Sequence, residues 1–266
     1  VNPPLPLARF RGRGELSEVR ASDLRFTSEE TEAFFQHFSL LTVSSSDLAL
    51  LNERTEGWIV GLQLAALSLE HHSNVAGFVQ NFSGSNRFVL YYLLEEVLEQ
   101  RSATIQTFLL TTSILERMCG PLCDALLEGT IDRPAQAILQ ELEQANLFII
   151  ALDDERYWYR YHHLFAGMLQ QRLRQSDSAK MGQLHGRASR WFEEQGLLEE
   201  AVEHAQRAGD MGRVIQLVEP EIRSSIMRGY FDRATHWLAI VPSHLIEERP
   251  RLLIAQAWLR LFEIPI

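Results

Sequence analysis

One stretch of this sequence changes its hydrophobic period, and that change restricts the possible folds more than any other feature. Three segments with helical spacing, at 103–115, 120–128 and 133–147, come first. The sequence LFIIALDDERYWYRYHHLF then places two apolar or aromatic runs around the charged tetrapeptide DDER. Such a pair of runs predicts a β-hairpin, with strands near 147–152 and 156–161. Three helices followed by a hairpin is the order of a winged-helix domain, which we assign to residues 102–174.

The preceding residues 27–100 carry further helical patterns, and together they predict a compact helical bundle. The tetrapeptide TSEE is a capping box, with Thr27 as the N-cap residue and Glu30 three positions later. The segment 58–69 is apolar almost all round, as is typical of a buried helix. The sequence FSGSNR at 82–87 predicts an interhelical turn with Ser85 as the next cap, while an anion site at that helix N-terminus remains an alternative.

The last part of the chain, residues 183–266, contains an internal repeat. Gly196 and Gly229 are 33 residues apart, and Ala201 and Ala234 have the same offset. This offset is close to the tetratricopeptide period. The predicted fold class is therefore mainly α: a helical bundle, a winged-helix domain with a small β-hairpin, and the start of a tetratricopeptide-like α-solenoid.

Charge and composition argue against several functional classes. The net charge is −10, and the third predicted winged-helix segment, 134–146, carries Glu141 and Glu143 but no lysine or arginine. A DNA recognition helix normally presents cationic or amide side chains to a groove lined with phosphates. We therefore expect no direct DNA binding by this chain. The longest uncharged apolar stretch is too short to span a bilayer, so we expect no membrane association. The two cysteines, Cys119 and Cys123, support no disulfide framework, so we expect a cytoplasmic protein.

The adjacent histidines His162 and His163 raise the question of a site. Adjacent residues on a strand point to opposite faces, so the two side chains are poorly placed to share one metal ion. No G-x-S-x-G motif accompanies them, and a P-loop sequence is absent from the chain. We therefore expect no metal site and no enzyme activity. On the residues alone, one histidine caps the helix after the hairpin and the other packs.

Several longer strings, taken in order, resemble one family. They include RTEGWIVGLQLAALSLE, SGSNRFVLYYLLEEVL, FLLTTSILERMCGPLCDALL, LEQANLFIIALDDERYWYRYHHLF and ASRWFEEQGLLEEAVEHAQRAGD. Over essentially its whole length the chain resembles the MalT-like, large ATP-binding LuxR-type transcription regulators, which belong to the STAND class of signalling NTPases. The resemblance implies a middle fragment of a longer protein, without the P-loop core and the C-terminal helix-turn-helix. Residues 1–26 would then be the tail end of the NTPase core and a linker.

The same resemblance implies a partial nucleotide site for ADP or ATP. Gly61 and Gln63 stand where the family has a G-x-P motif that packs on the adenine, with Gln63 in place of the proline. His162 stands where a Met-His-Asp motif supplies a histidine to the β-phosphate of ADP, and His163 replaces the acid.

The implied role is regulatory coupling in an ATP-dependent, inducer-responsive transcription activator. The implied partners are the protein's own NTPase core and DNA-binding domain, an unknown inducer on the repeats, and a second copy in the active state. The alternative is a free-standing helical-repeat adaptor without nucleotide binding.

Overall fold

The computed structural model describes residues 5–17, 19, 21–37, 43–69 and 74–262, and these are mainly helical. The chain forms two compact units, Val1–Ser176 and Asp177–Ile266. Within the described part, none of the helices is both long enough and apolar enough to cross a membrane. The predicted fold class is confirmed, since helices, a small hairpin and a set of repeated helix pairs follow one another in the expected order.

The first unit contains the bundle and the winged helix. Its elements are α1 (Leu7–Gly12), a 3-10 helix (Ala21–Leu24), α2 (Ser28–Gln36), α3 (Ser45–Thr55), α4 (Ile59–Leu69), α5 (Val75–Asn81), α6 (Arg87–Tyr92), a π-helix (Leu93–Leu98), α7 (Ala103–Thr112), α8 (Gly120–Leu127), α9 (Ala135–Gln144), β1 (Ile149–Ala151), β2 (Tyr159–Tyr161) and α10 (His163–Ser176).

The helix starts of the bundle follow from side-chain capping. The Thr27 hydroxyl accepts the Glu30 N–H at 3.2 Å, and the Glu30 carboxylate accepts the Thr27 N–H at 2.9 Å, which confirms the capping box. The prediction of Ser85 as the cap of α6 is wrong by one residue. The Asn86 side chain accepts the Phe88 N–H at 3.1 Å instead, because an amide oxygen reaches the second helical N–H from this position.

The hairpin of the winged helix is shorter than its sequence pattern. The strands β1 and β2 pair antiparallel over three residues each, with Ile149 opposite Tyr161. The wider turn is closed by Asp153, whose carboxylate accepts the N–H groups of Tyr157 and Trp158, each at 2.8 Å. Tyr157 and Trp158 were expected to be part of the second strand. Because their N–H groups are bonded to Asp153, they are not available for pairing with the first strand. Met118, between α7 and α8, adds a bridge to the other edge of β2.

The second unit consists of helix pairs. Its elements are α11 (Ser178–Glu194), α12 (Leu198–Arg207), α13 (Met211–Met227), α14 (Phe231–Ile240), α15 (Ser243–Glu247) and α16 (Pro250–Phe262). Both α11 and α13 have 17 residues, and both α12 and α14 have 10. Gly196 and Gly229 occupy the equivalent turns with φ values of 72° and 82°, and Ala201 and Ala234 are fully buried. The 33-residue repeat predicted from the sequence is therefore present in the helices themselves.

Candidate functional site

The bundle meets the winged helix where α3 ends and α10 begins. Glu56 ends α3 in the left-handed region, with φ of 51°, and Gly57 continues the turn with φ of 70°. A Cβ atom on Gly57 would lie 2.6 Å from the Phe26 carbonyl oxygen, so only glycine fits this position. The turn presents the Thr55 carbonyl and the Glu56 carboxylate to α10. We call this place the junction and define it by Thr55, Glu56, Arg160, His162 and His163.

The centre of the junction is the Glu56 carboxylate, whose side chain is only 7% exposed. Arg160 donates two parallel hydrogen bonds to it, at 2.8 and 2.9 Å, and the His163 backbone N–H donates a third at 3.1 Å. A guanidinium nitrogen of Arg25 lies 3.7 Å from the same carboxylate. Burial alone would raise the pKa of this carboxyl, but the hydrogen bonds from Arg160 and the His163 N–H outweigh it and lower the pKa to about 2. Glu56 is therefore a fixed negative charge at neutral pH.

His162 is buried beside this charge, and both of its ring nitrogens have partners. Its Nε2 lies 2.8 Å from the Thr55 carbonyl oxygen, and its Nδ1 accepts the Leu164 N–H at 3.3 Å. Burial lowers the pKa of His162, although the Glu56 charge and the Thr55 bond act in the opposite direction. The hydrogen-bond network thus assigns a neutral ring with the proton on Nε2. His162 both caps α10 and holds it to the end of α3.

The neighbouring His163 points the other way, as expected for adjacent residues leaving a strand. Its side chain is 66% exposed, and its Nδ1 lies 3.2 Å from the same Glu56 carboxylate. Across the described ranges, no group of three or more histidine, cysteine or acidic residues is placed to hold a metal ion. The His162 ring therefore packs inside the junction, and the His163 ring lies at its surface.

The two other residues of the implied nucleotide site lie on α4. Gly61 is buried, and a Cβ there would come within 2.7 Å of the Trp58 ring and 3.3 Å of Leu164. The Trp58 ring packs edge-on against His162, with 6.0 Å between centroids. Gly61 and His162 thus share the same surroundings. Gln63 is exposed, and so it lies on a different face of α4. The adenine role of Gly61 and Gln63, and the phosphate role of His162, remain predictions.

The turn FSGSNR packs against α10 and tightens the same region. A Cβ on Gly84 would lie 1.9 Å from the Leu164 carbonyl oxygen and 2.7 Å from the Met168 nitrogen. The hydroxyls of Ser83 and Ser85 bond to each other at 2.6 Å. The glycine in this turn is therefore required by close approach to α10, which explains the sequence without an anion.

The third helix of the winged helix does not present cations. Arg133 lies 2.6 Å from Glu141, and Arg156 lies 3.3 Å from Glu143. Both guanidinium groups thus face carboxylates of α9. This is unlike a helix that offers arginines to DNA phosphates, and the expectation of no direct DNA binding stays in place.

Sequence reasoning missed Thr55, Glu56 and Arg160, although two of them leave a signal. Glutamate is unfavourable at the C-terminus of a helix because the helix dipole is negative there. Its presence just before Gly57 indicates a compensating cation. Arg160 is the only charge in the run YWYRY, which is otherwise aromatic. The pairing itself spans 104 residues and leaves no local pattern.

The comparisons with known proteins agree with this architecture. Residues 94–181 match the family model of the MalT winged helix domain. The chain is 37% identical over 257 residues to the serine/threonine-protein kinase PknK of Mycobacterium tuberculosis, covering 96% of the chain and 23% of that protein. It is 31% identical over 259 residues to the HTH-type transcriptional regulator MalT of Klebsiella pneumoniae, covering 97% of the chain and 28% of MalT. The MalT of Yersinia enterocolitica is 32% identical over 259 residues, with the same coverage.

The chain thus spans about a quarter of the length of these curated relatives. The similarity runs through the bundle, the winged helix and the repeats alike. Over the stretch shared with these relatives the chain is MalT-like, and residues 94–181 match the MalT winged helix domain.

Proposed function

We propose that the chain is the regulatory middle region of an ATP-dependent, inducer-responsive, LuxR-type transcription activator. In this role it couples the nucleotide state of an NTPase core to the sensor repeats. The shared stretch occurs in relatives named as a kinase and as a transcriptional regulator. A region shared by a kinase and a transcriptional regulator is better explained as a control region than as the part that carries out either activity. We therefore assign catalysis and DNA binding to other parts of the protein.

The observation that carries the proposal is the junction. The His162 ring, which the family resemblance places at the β-phosphate of ADP, bonds to Thr55 at the end of α3. The next residue, Glu56, is bonded to Arg160 and His163. A group that alters His162 therefore alters the contact between the winged helix and the bundle. This is the property required of a two-state switch biased by a ligand.

The residues around the junction fit an anionic ligand such as a diphosphate. Arg160, Arg25 and the N-terminus of α10 already surround one buried carboxylate. When bound, ADP would bring the charge of its diphosphate to these groups. That charge differs from the charge of ATP bound to the core. His162 would donate from Nε2. The Trp58 ring already lies against Gly61, and Gln63 lies on another face of α4, so an adenine role for these two residues is supported by the family resemblance alone.

The proposal includes two states and several partners. In the first state, ADP favours a closed monomer in which the winged helix is held against the bundle and the core. In the second, ATP on the core and an inducer on the repeats favour an open form that self-associates. The remaining partners are the protein's own core and its DNA-binding domain, and the compartment is the cytoplasm.

The test is calorimetry of ADP binding to a longer form of the protein that includes the proposed core. Replacing His162 by alanine should weaken ADP binding by about 1.5–3 kcal/mol, the range for a hydrogen bond to a charged group. The matched control is His236→Ala, which removes an exposed histidine of α14. Equal ADP affinity of a folded His162→Ala protein and its control would contradict the assignment and favour the adaptor without nucleotide binding.

A further inference from the structure

The donors around Glu56 form an anion cradle that this chain fills with its own side chain. Two guanidinium nitrogens of Arg160 and the backbone N–H of His163 point at the carboxylate, and the His163 ring and Arg25 flank it. Groups from three residues thus converge on one carboxylate that is almost fully buried. Parallel donation from a guanidinium and a helix N-terminus is also how proteins hold phosphate groups.

The position of Glu56 is unfavourable in its own backbone. It holds a left-handed conformation, with φ of 51°, which is strained for a residue other than glycine. Its negative charge also stands at the C-terminus of α3, where the helix dipole disfavours it. The cradle therefore holds the carboxylate in an unfavourable position. A diphosphate would bring more charge and more acceptor oxygens to the same donors, and it is not tied to the left-handed backbone of Glu56.

We propose that Glu56 is an internal anion that competes with the diphosphate of the nucleotide for the donors of the junction. This inference rests on the function proposed above and deepens it. With Glu56 in the cradle, Arg160 and the start of α10 are tied to the bundle. With a diphosphate in the cradle, Glu56 is displaced, and Arg160, the start of α10 and His162 hold the nucleotide in place of the end of α3. The same donors cannot serve both anions, so anion occupancy sets whether the winged helix is held to the end of α3 or to the nucleotide.

If Glu56 competes with an external anion, neutralising it changes anion affinity in the opposite direction from that expected of a purely structural carboxylate. Neutralising a structural carboxylate leaves anion binding unchanged or weakens it through loss of fold. Neutralising a competing carboxylate strengthens anion binding, because Arg160 loses its internal partner while the rest of the cradle stays. Arg160 is 25% exposed and His163 is 66% exposed, so an anion has access to the cradle.

The experiment measures the affinity of the chain for inorganic pyrophosphate by calorimetry at fixed ionic strength. Glu56→Gln should bind pyrophosphate at least about tenfold more tightly than the wild type, which corresponds to about 1.4 kcal/mol. The control is Glu141→Gln, which removes the same charge from an exposed ion pair with Arg133. Adding Arg160→Gln to Glu56→Gln should abolish the gain. An equal gain in Glu141→Gln would show a nonspecific charge effect and overturn the proposal, as would no gain in a folded Glu56→Gln protein.

A second measurement covers the case in which Glu56→Gln does not fold. In the wild-type chain, saturating pyrophosphate should shift the Arg160 Nε–H resonance in an NMR titration, while the Arg133 resonance stays. An Arg160 resonance that does not move overturns the competition. The two proposals fail separately. Suppose that Glu56→Gln binds pyrophosphate more tightly while His162→Ala leaves ADP affinity unchanged. The competition by Glu56 would then be supported, and the nucleotide role of His162 would be excluded.

Discussion

The junction and the helical repeats are held together in opposite ways. The junction joins residues that are 104 and 107 positions apart, through a buried charge and a strained turn. The repeats use neighbouring helices and the same bonds twice. Leu197 donates to Phe192 in the first repeat, and Tyr230 donates to Ser225 at the equivalent positions of the second. A contact that occurs once and depends on charge can be switched by one ligand, whereas a contact repeated in each helix pair provides a scaffold.

The largest expected effect is the loss of one partner in the junction. Replacing Arg160 by methionine leaves the Glu56 carboxylate buried without its two strongest donors, so the first unit should lose about 3 kcal/mol of unfolding free energy. The matched change Arg133→Met breaks an exposed pair and should cost less than about 1 kcal/mol. Urea unfolding of both variants measures the difference. Similar losses in the two proteins would mean that the junction is no more than a surface ion pair.

The next effect compares a glycine beside the junction, Gly84, with a glycine of the repeats, Gly196. Gly84→Ala would push a methyl group to within 1.9 Å of the Leu164 carbonyl oxygen, so α10 must shift. The expected cost is about 2–3 kcal/mol. Gly196 in the repeats has φ of 72°, and a methyl group added there would meet open space. Gly196→Ala therefore carries only the left-handed backbone cost of about 1–2 kcal/mol. Thermal melts measure the two losses. A larger loss for Gly196→Ala than for Gly84→Ala would show that the close approach of Gly84 to α10 is not limiting.

The third effect is absent at neutral pH and separates the two repeats from each other: it is acid sensitivity. His185 and His204 are buried, with 2.8 Å between their Nδ1 atoms. Burial, together with the positive Arg207, lowers the pKa of His185 to about 4, and burial with the His185 and Arg207 charges lowers that of His204 to about 3. The second repeat has Val218 and Trp237 at these positions.

The unfolded chain therefore takes up protons at higher pH than the folded one. The contribution of this pair is complete above about pH 6.5 and is lost as the pH falls toward 4 and then 3. Amide hydrogen exchange between pH 6.5 and 4.5 should show α11 and α12 losing protection before α13 and α14. Replacing the pair by valine and tryptophan, as in the second repeat, should remove the difference. Equal loss in all four helices of the unchanged protein would count against the histidines as its cause.

Local patterns in the sequence predicted the helices well because their signals lie within a few residues. The capping box at Thr27 and the 33-residue offset of the repeats are of this kind, and both are present in the structure. The hairpin was predicted with strands that are too long, because the bonds from Asp153 to the turn compete with strand pairing.

The junction was only half accessible to such reasoning. The family resemblance pointed to His162 and Gly61, and these do share one environment in the structure. The pairing of Glu56 with Arg160 depends on how two distant segments fold together, and hydrophobic periodicity carries no information about it. The sequence showed two charges in unusual places and could not show that they were partners.

The recurrence of helix lengths and turn glycines in the second unit has an evolutionary consequence. Since α11 and α13 have equal lengths, and α12 and α14 do as well, a stretch of about 33 residues can be duplicated or deleted in frame without a new packing problem. Related genes can therefore differ in the length of this helical-repeat region by whole repeats. The region around Glu56 offers no such freedom, because an insertion in either of its two segments breaks a contact that has no second copy.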